Sequence, residues 1–377
     1  MLTKNDIKRI LSDALRAELA RTRQDALSVF EHDNPAALFN ALTVAQRSRF
    51  EEVAGDMFNQ PAKHFSSLEN MVNYYYAAFL YYGLINFLTS GTTGAYKKCP
   101  HTITMMDEEA NGVKAEFAGV KRIVSLVPAH HLYGFTFTVM LPHILGVETV
   151  ALPPLPTANW QKLLQPGDLV VGFPLFWQYW AENGKEFPPE IHALCATSPL
   201  ADELIARLYE LKLARFTEIY GASETGAIAR RHHANESFEV FDFWEIDPND
   251  QIRLKRKSGS RWQVLPDQAE MESPRRLRPL GRTDYCVQVA GINVYPAHVE
   301  EVLSKHPAVK ACKVRLMRPE EGFRLKAFIV LNDGYNESHL GIIRTYLSQK
   351  LTVHEMPRSF TFGPQLPVNN LGKAQDW

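Results

Sequence analysis

Apolar residues recur at helical spacing near the start of the chain. Ile7, Ile10, Leu11 and Leu15 share one face of a segment that opens with Thr3 and Asp6 in a capping-box arrangement, which predicts an amphipathic helix. From about residue 120 to 222 the pattern changes to short β-like runs, RIVSLVPA, ETVALPP, DLVVGFP, HALCATS and RFTEIYG, separated by helical or loop segments. That alternation predicts α/β layering on a largely parallel sheet. After Glu224, FEVFDFWEID and QIRLKRKSGSRWQVLPD read as strands joined by turns at Asp247-Pro248-Asn249-Asp250 and Ser258-Gly259-Ser260, an antiparallel β subdomain. The last hundred residues predict a compact α+β unit. It comprises CVQVAGINVYP, the helix AHVEEVLSKH, the strands VKACKVRLM and RLKAFIVLND, the helix ESHLGIIRTYLSQKL and a final strand RSFTFGP.

The most membrane-like stretch, 72–88, holds five tyrosines with Asn73 and Asn86, and is short for a span of about 20 residues, so it is expected to be core. No signal-peptide apolar core precedes the first helix. At 377 residues, 45% hydrophobic and 22% charged, the chain predicts about two globular domains. A formal charge of -1 gives no global field that would favour nucleic acid. Cys99, Cys195, Cys286 and Cys312 form no CxxC pair, which fits neither a disulfide framework nor a zinc site and suits a reducing compartment, the cytoplasm.

One loop carries candidate chemistry. In FLTSGTTGAYKKCPHT, Ser90-Gly91-Thr92-Thr93-Gly94 precedes Lys97 and Lys98. Small residues let backbone N–H groups converge on a phosphate, hydroxyls add donors, and lysine adds a point charge. The spacing is not that of a P-loop, since Ala95-Tyr96 follows the second glycine before any lysine.

The loop resembles the phosphate-binding motif of the adenylate-forming enzymes, the superfamily of acyl- and aryl-CoA synthetases, nonribosomal peptide adenylation domains and luciferases. Further segments resemble its other motifs in order. Pro128-Ala129-His130-His131-Leu132-Tyr133-Gly134 is similar to P-x-x-H-x-x-G, with His131 at the family position; adjacent histidines on a strand point to opposite faces, which argues against a two-histidine metal site. Ala196-Thr197-Ser198-Pro199-Leu200 is similar to G-[GA]-[AE]-P-L, and Tyr220-Gly221-Ala222-Ser223-Glu224 to YGxTE. Asp267 stands near the place of the aspartate of a TGD motif, which is otherwise absent. Gly281-Arg282-Thr283-Asp284 and the following Val289 to Glu300 resemble the interdomain junction, with Gln288 where many members carry lysine. Pro367 to Lys373 is similar to the terminal PxxxxGK.

The resemblance covers about residue 88 onward, and the preceding part is shorter than usual for the family. It implies a large α/β domain with a β subdomain over 1–283 and a small mobile α+β domain over 284–377 turning about Asp284. It implies ATP and Mg2+ as cofactors, with Glu224 as metal ligand. Ser90, Gly91, Thr93, Gly94, Ser198, Tyr220, Gly221, Ser223, Asp267 and Arg282 would bind nucleotide; Lys373, Glu224, Thr92, Lys97 and His131 would serve catalysis. The implied reaction joins a carboxylic acid to AMP and then passes the acyl group to a thiol, either coenzyme A or the phosphopantetheine of an acyl carrier protein.

Phe135, Phe173, Phe176 and Trp177 favour a flat or short hydrophobic acid, although core packing explains them equally well. Two basic clusters, Arg253, Lys255, Arg256, Lys257 and Arg261, and Arg275, Arg276, Arg278 and Arg282, could face an acidic carrier protein or the phosphates of coenzyme A. The competing class is a nucleotide-binding regulator or inactive paralogue on the same fold.

Overall fold

The computed structural model describes residues 2–22, 34–90, 96–153, 162–197, 200–233, 235–250, 253–265, 267–282, 286–289, 292–318, 321–322, 324–367 and 377. The chain forms two compact units: Met1–Thr89 with Lys98–Gly281, and Ser90–Lys97 with Arg282–Trp377.

In the larger unit, helix α1 (Lys4–Thr22) starts at a reciprocal cap. The Thr3 amide donates to Asp6 at 2.7 Å and the Asp6 amide to the Thr3 hydroxyl at 3.3 Å. Helices α2 (Pro35–Asn40), α3 (Val44–Met57) and α4 (Leu68–Tyr82) follow. The aromatic stretch expected to be core is amphipathic instead: Met71, Val72, Tyr75 and Phe79 are buried, while Leu80, Tyr81 and Tyr82 are exposed. Gly83 ends α4 in the left-handed region (φ 59°), and the chain continues into strands β1 (Leu84–Ser90) and β2 (Tyr96–Thr102), which pair with each other.

After α5 (Ile103–Val113) come β3 (Arg122–Ser125), a helical run 132–145 with a π-helical middle (Thr136–Met140), β4 (Glu148–Ala151) and β5 (Asp168–Val171). Helix α6 (Pro174–Asn183), β6 (His192–Cys195), α7 (Asp202–Glu210), β7 (Arg215–Ala222), β8 (Gly226–Arg231) and β9 (Phe238–Val240) complete this stretch. The strands β3 to β7 pair in parallel, in the order β4-β3-β5-β6-β7, as the alternation predicted. Every residue of β5 and β6 is buried, the mark of a sheet covered on both faces. The one carboxylate in β5, Asp168, takes two hydrogen bonds from Arg122 on β3, at 2.9 and 2.7 Å, so its buried charge is paired.

The antiparallel strands after Glu224 divide between two sheets. Strands β10 (Trp244–Ile246), β11 (Arg253–Arg256) and β12 (Gln263–Val264) form a small sheet of their own. Strands β8, β9, β13 (Asp267–Ser273) and β14 (Arg276–Arg282) extend the parallel sheet to nine strands.

The smaller unit contains the hairpin β15 (Val287–Val289) and β16 (Ile292–Val294), helix α8 (Pro296–Ser304), and β17 (Val309–Leu316) antiparallel to β18 (Leu325–Leu331). Helix α9 (Leu340–Ser348) and β19 (Ser359–Phe362), parallel to β18, complete it. Val299, Leu303, Leu325, Ile329, Ile343 and Leu347 fill its core. Trp377 packs edge-on against Phe328, and its main-chain oxygen accepts from Arg315 and Lys326, each at 2.7 Å.

Candidate active site

In an open α/β sheet the carboxyl ends of the parallel strands are where ligands bind. Here those ends carry segments singled out from the sequence: Pro128–Gly134 after β3, Ala196 and Thr197 after β6, and Tyr220–Glu224 at the end of β7.

The β7 turn is closed by Thr225, whose hydroxyl accepts from the Ala222 amide at 3.2 Å. Gly221 allows the return strand to pass close by, since a Cβ there would lie 2.2 Å from the Gly226 carbonyl oxygen. The Tyr220 hydroxyl donates to Asp267 Oδ2 at 2.7 Å, joining two predicted nucleotide-binding residues that are 47 positions apart. The carbonyl of Ser223 lies 2.7 Å from His101 Nε2. A carbonyl only accepts, so Nε2 carries the proton; burial lowers the ring's pKa and favours this neutral form.

Beneath the turn, α5 supplies Glu109, 2% exposed, whose carboxylate accepts from Arg256 Nη2 at 2.6 Å, the Ala227 amide at 3.1 Å and the Thr136 hydroxyl at 3.1 Å. Arg256 also donates to the Thr225 carbonyl at 2.6 Å. Neither residue was singled out for this role in the sequence. Glu109 could have been, because it shares a helical face with Met106, Ala110 and Val113, an apolar stripe on which a carboxylate needs a partner.

For Arg256 this corrects the basic-hairpin reading. Arg256 is buried and ion-paired rather than presented to a partner, and it stacks 4.8 Å over Trp244. Lys255 pairs with Glu245 at 2.9 Å and Arg253 with Asp247 at 3.4 Å. Arg275 is committed to the carbonyls of Val240 and Phe241, and Arg278 to Glu272. Lys257 and Arg261 remain exposed.

Leu200, beyond β6, is held from β7 and β8. The Leu200 amide donates to Glu218 Oε1 at 3.0 Å, and Arg231 bridges Glu218 (2.7 Å) and the Leu200 carbonyl (3.3 Å). Burial raises the pKa of Glu218 against the opposing pull of Arg231.

In the β3 turn, Gly134 is required by close approach, since a Cβ would meet the Pro128 carbonyl oxygen at 2.1 Å. His130 and His131 do not alternate across a strand as expected. They lie in the turn that enters the helical run, with ring centroids 4.2 Å apart. Burial takes the pKa of His130 down to about 4, so this ring is neutral near pH 7. The Tyr133 hydroxyl donates to the carbonyls of Gly172 and Leu194 at 3.0 and 3.1 Å, tying the turn to the ends of β5 and β6. Phe135, Phe176 and Trp177 are core residues, which leaves Phe173, half-buried after β5, as the one of the four aromatics with open surface.

Lys97 is exposed on β2, and its neighbour Lys98 pairs with Asp56 at 2.7 Å. Ser90 and Arg282 end strands β1 and β14. Gly91, Thr92, Thr93, Gly94, Ser198, Asp284 and Lys373 lie outside the described residues. Gln288, in the position of the family lysine, donates to Asn293 across the β15–β16 hairpin. Among the described residues no three His, Cys, Asp or Glu side chains converge as a metal site. Magnesium takes most of its ligands from water and phosphate oxygens, so the site expected at Glu224 requires no such cluster. Among the described residues no helix is long and apolar enough to cross a membrane.

The AMP-binding enzyme family model matches residues 84–260, and that of the AMP-binding enzyme C-terminal domain matches 298–373. A 4-coumarate–CoA ligase of Rhodobacter capsulatus is 34% identical over 295 residues, 77% of this chain and 74% of the relative. The chain belongs to the AMP-binding, adenylate-forming enzyme family. A second 4-coumarate–CoA ligase, of Halorhodospira halophila, is 32% identical over 77% of this chain and 75% of its own length. Among solved structures, an amide bond synthetase from Marinactinospora thermotolerans aligns with a TM-score of 0.66 at 20% identity, covering 78% of this chain and 68% of that one. An o-succinylbenzoate CoA synthetase from Bacillus subtilis aligns at 0.64 and 19%, covering 77% and 67%. At these identities the two structures bear on the fold alone, and they share its mixed α/β architecture.

Proposed function

We propose that the protein activates a carboxylic acid with ATP and transfers the acyl group to the thiol of coenzyme A. The acid's carboxylate attacks the α-phosphorus, an acyl-adenylate forms and pyrophosphate leaves. The thiol then attacks the acyl carbon and AMP departs. Such chemistry needs alignment and charge neutralisation more than covalent help from the protein.

The observation that carries the reading is the 2.7 Å bond from Tyr220 to Asp267 at the carboxyl edge of the sheet. It brings an aromatic face suited to a purine beside a carboxylate able to accept both ribose hydroxyls. Ser223 and the 90–98 loop would hold phosphate oxygens, Glu224 would bind magnesium, and Lys373 would meet the reacting carboxylate and α-phosphate. The 284–377 domain would turn about Asp284 between the two steps. An aromatic acid of the hydroxycinnamate kind is favoured by the names of the relatives. Coenzyme A is favoured over a carrier protein on the same ground.

The test is acid-dependent pyrophosphate exchange with 4-coumarate, benzoates and short aliphatic acids, repeated with coenzyme A and with holo acyl carrier protein. Exchange with an aromatic acid and thioester formation on coenzyme A are expected. Nucleotide binding without exchange for any acid would favour the regulator reading. Lys373→Ala should slow adenylation about a hundred- to a thousandfold while sparing thioester formation from supplied acyl-adenylate; equal loss in both steps would remove Lys373 from its role.

A further inference from the structure

Helix α1 lies outside the stretch matched by the family, which begins at residue 84. Its apolar face, Ile7, Ile10, Leu11, Leu15 and Leu19, belongs to the same core cluster as Ala129, Leu132 and Phe135. Its polar residues engage the same stretch of chain. Asp13 Oδ2 accepts from the Ala129 amide at 2.8 Å, inside the turn that carries the two histidines. Arg9 donates through Nη1 to the Thr138 carbonyl at 2.6 Å, and through Nη2 to the Thr138 hydroxyl at 2.8 Å and the Ser125 hydroxyl at 3.0 Å. Thr138 sits in the π-helical segment. Ser125 ends β3, one turn before the histidines. One face of α1 therefore grips the chain on both sides of His130–His131 and at the turn itself.

We propose that Asp13 and Arg9 are positioning residues for the acid subsite: by fixing the backbone from Ser125 to Thr138 they set where the His131 ring stands. A carboxylate accepting a backbone N–H is a strong, directional constraint, and one placed on a long helix is stiffer than one placed on a loop. The inference rests on the reading of the Pro128–Gly134 turn as part of the acid site, and its test separates the two.

The experiment measures pyrophosphate-exchange kinetics in the full chain, with 4-coumarate and ATP varied separately, for D13A, D13N, R9M and H131A. Hydrogen exchange is followed in the peptide spanning 126–134. D13A is expected to raise the acid KM about tenfold with the ATP KM unchanged, and to speed exchange at 126–134. D13N, whose amide oxygen still accepts from Ala129, should recover most of the loss. An acid KM raised by H131A and untouched by D13A overturns the positioning role, as does D13N failing as badly as D13A. An acid KM indifferent to H131A removes the acid-site reading instead; faster exchange in D13A with no kinetic change then leaves α1 a structural brace, and the proposal falls. Should D13A not fold, R9M and Thr138→Val, which remove donors or an acceptor on the other side of the turn, are judged by the same split between acid and ATP.

Discussion

Two turns that end at the same edge of the sheet are held in opposite ways. The Tyr220–Glu224 turn rests on a buried ion pair, Glu109–Arg256, supplied by α5 and β11, within the stretch that matches the family. The Pro128–Gly134 turn is braced by α1, from outside that stretch, through a carboxylate on one amide and a guanidinium on two hydroxyls and a carbonyl. The first arrangement costs desolvation of both charges and cannot lose one member cheaply; the second spreads its hold over four hydrogen bonds and the apolar face of a helix. The turn expected to meet phosphates is thus fixed by an all-or-none device. The turn expected to meet the variable acid is fixed by a removable one.

The largest effect should come from breaking the ion pair. Glu109→Ala leaves Arg256 buried without its carboxylate and should destabilise the larger unit by ~3–5 kcal/mol, read by denaturant unfolding. Replacing both partners with apolar residues should cost far less. A loss below ~1 kcal/mol in the single variant would show that the pair is not the support of the β7 turn.

Next in size are the glycines of each turn. Gly226 has φ 80°, and a Cβ there would sit 2.0 Å from Glu109 Oε2; at Gly134 a Cβ would meet a backbone oxygen. Each Gly→Ala should cost ~1–3 kcal/mol. Gly134→Ala should do so without changing ATP affinity, and Gly226→Ala should lower it. Identical effects on nucleotide and acid binding would erase the distinction between the turns.

The parallel sheet was legible in the sequence because strands buried on both faces read as short apolar runs, as β5 and β6 do, and β3, β4 and β7 also fall on short apolar runs. The smaller unit was legible for a similar reason, its helices and strands alternating with the right periods. The antiparallel strands were read as one subdomain because short half-exposed strands carry no sign of which sheet they join. In the site, Tyr220 and Asp267 were found by motif and by counting, and the structure brings them together. Glu109, Arg256, Arg9 and Asp13 were missed, since each looks like an ordinary charged residue until its partner, 147 positions away for Glu109 and Arg256 and 116 for Asp13 and Ala129, is known. The pairing of His130 and His131 was misread because a strand was assumed where the chain turns into a helix.

Acid separates the two turns less sharply, though the sign is definite. Burial lowers the pKa of His101 under the β7 turn and takes His130 in the β3 turn down to about 4. The unfolded chain therefore binds protons near pH 6.5 that the folded chain refuses, and stability falls as pH drops from about 6.5 toward those folded values. Asp13 works against this. Its pKa is raised, first by burial and against its bond from Ala129 and the charges of Arg9 and Arg16, so the folded chain holds that proton more readily than the unfolded one. Thermal unfolding followed from pH 7 to 5 should show a declining midpoint, and His101→Gln should flatten the decline. A decline as steep in His101→Gln as in the intact protein would mean that the His101 ring is not held neutral.

The smallest change proposed is Tyr220→Phe, which removes one oxygen. The ring stays, tilted against Phe238 at 5.8 Å, so the packing of the β7 turn is retained and stability should fall by no more than about 1 kcal/mol. What is lost is the donor that orients Asp267. If that carboxylate grips the ribose, releasing it should weaken AMP binding several-fold, measured by calorimetry, with the KM for the acid unchanged. Asp267→Asn should weaken AMP binding further, because an amide offers one acceptor where two hydroxyls must be met. A Tyr220→Phe variant that loses acid affinity instead of AMP affinity would move the nucleotide away from the β7 turn, and with it the division of labour between the two turns.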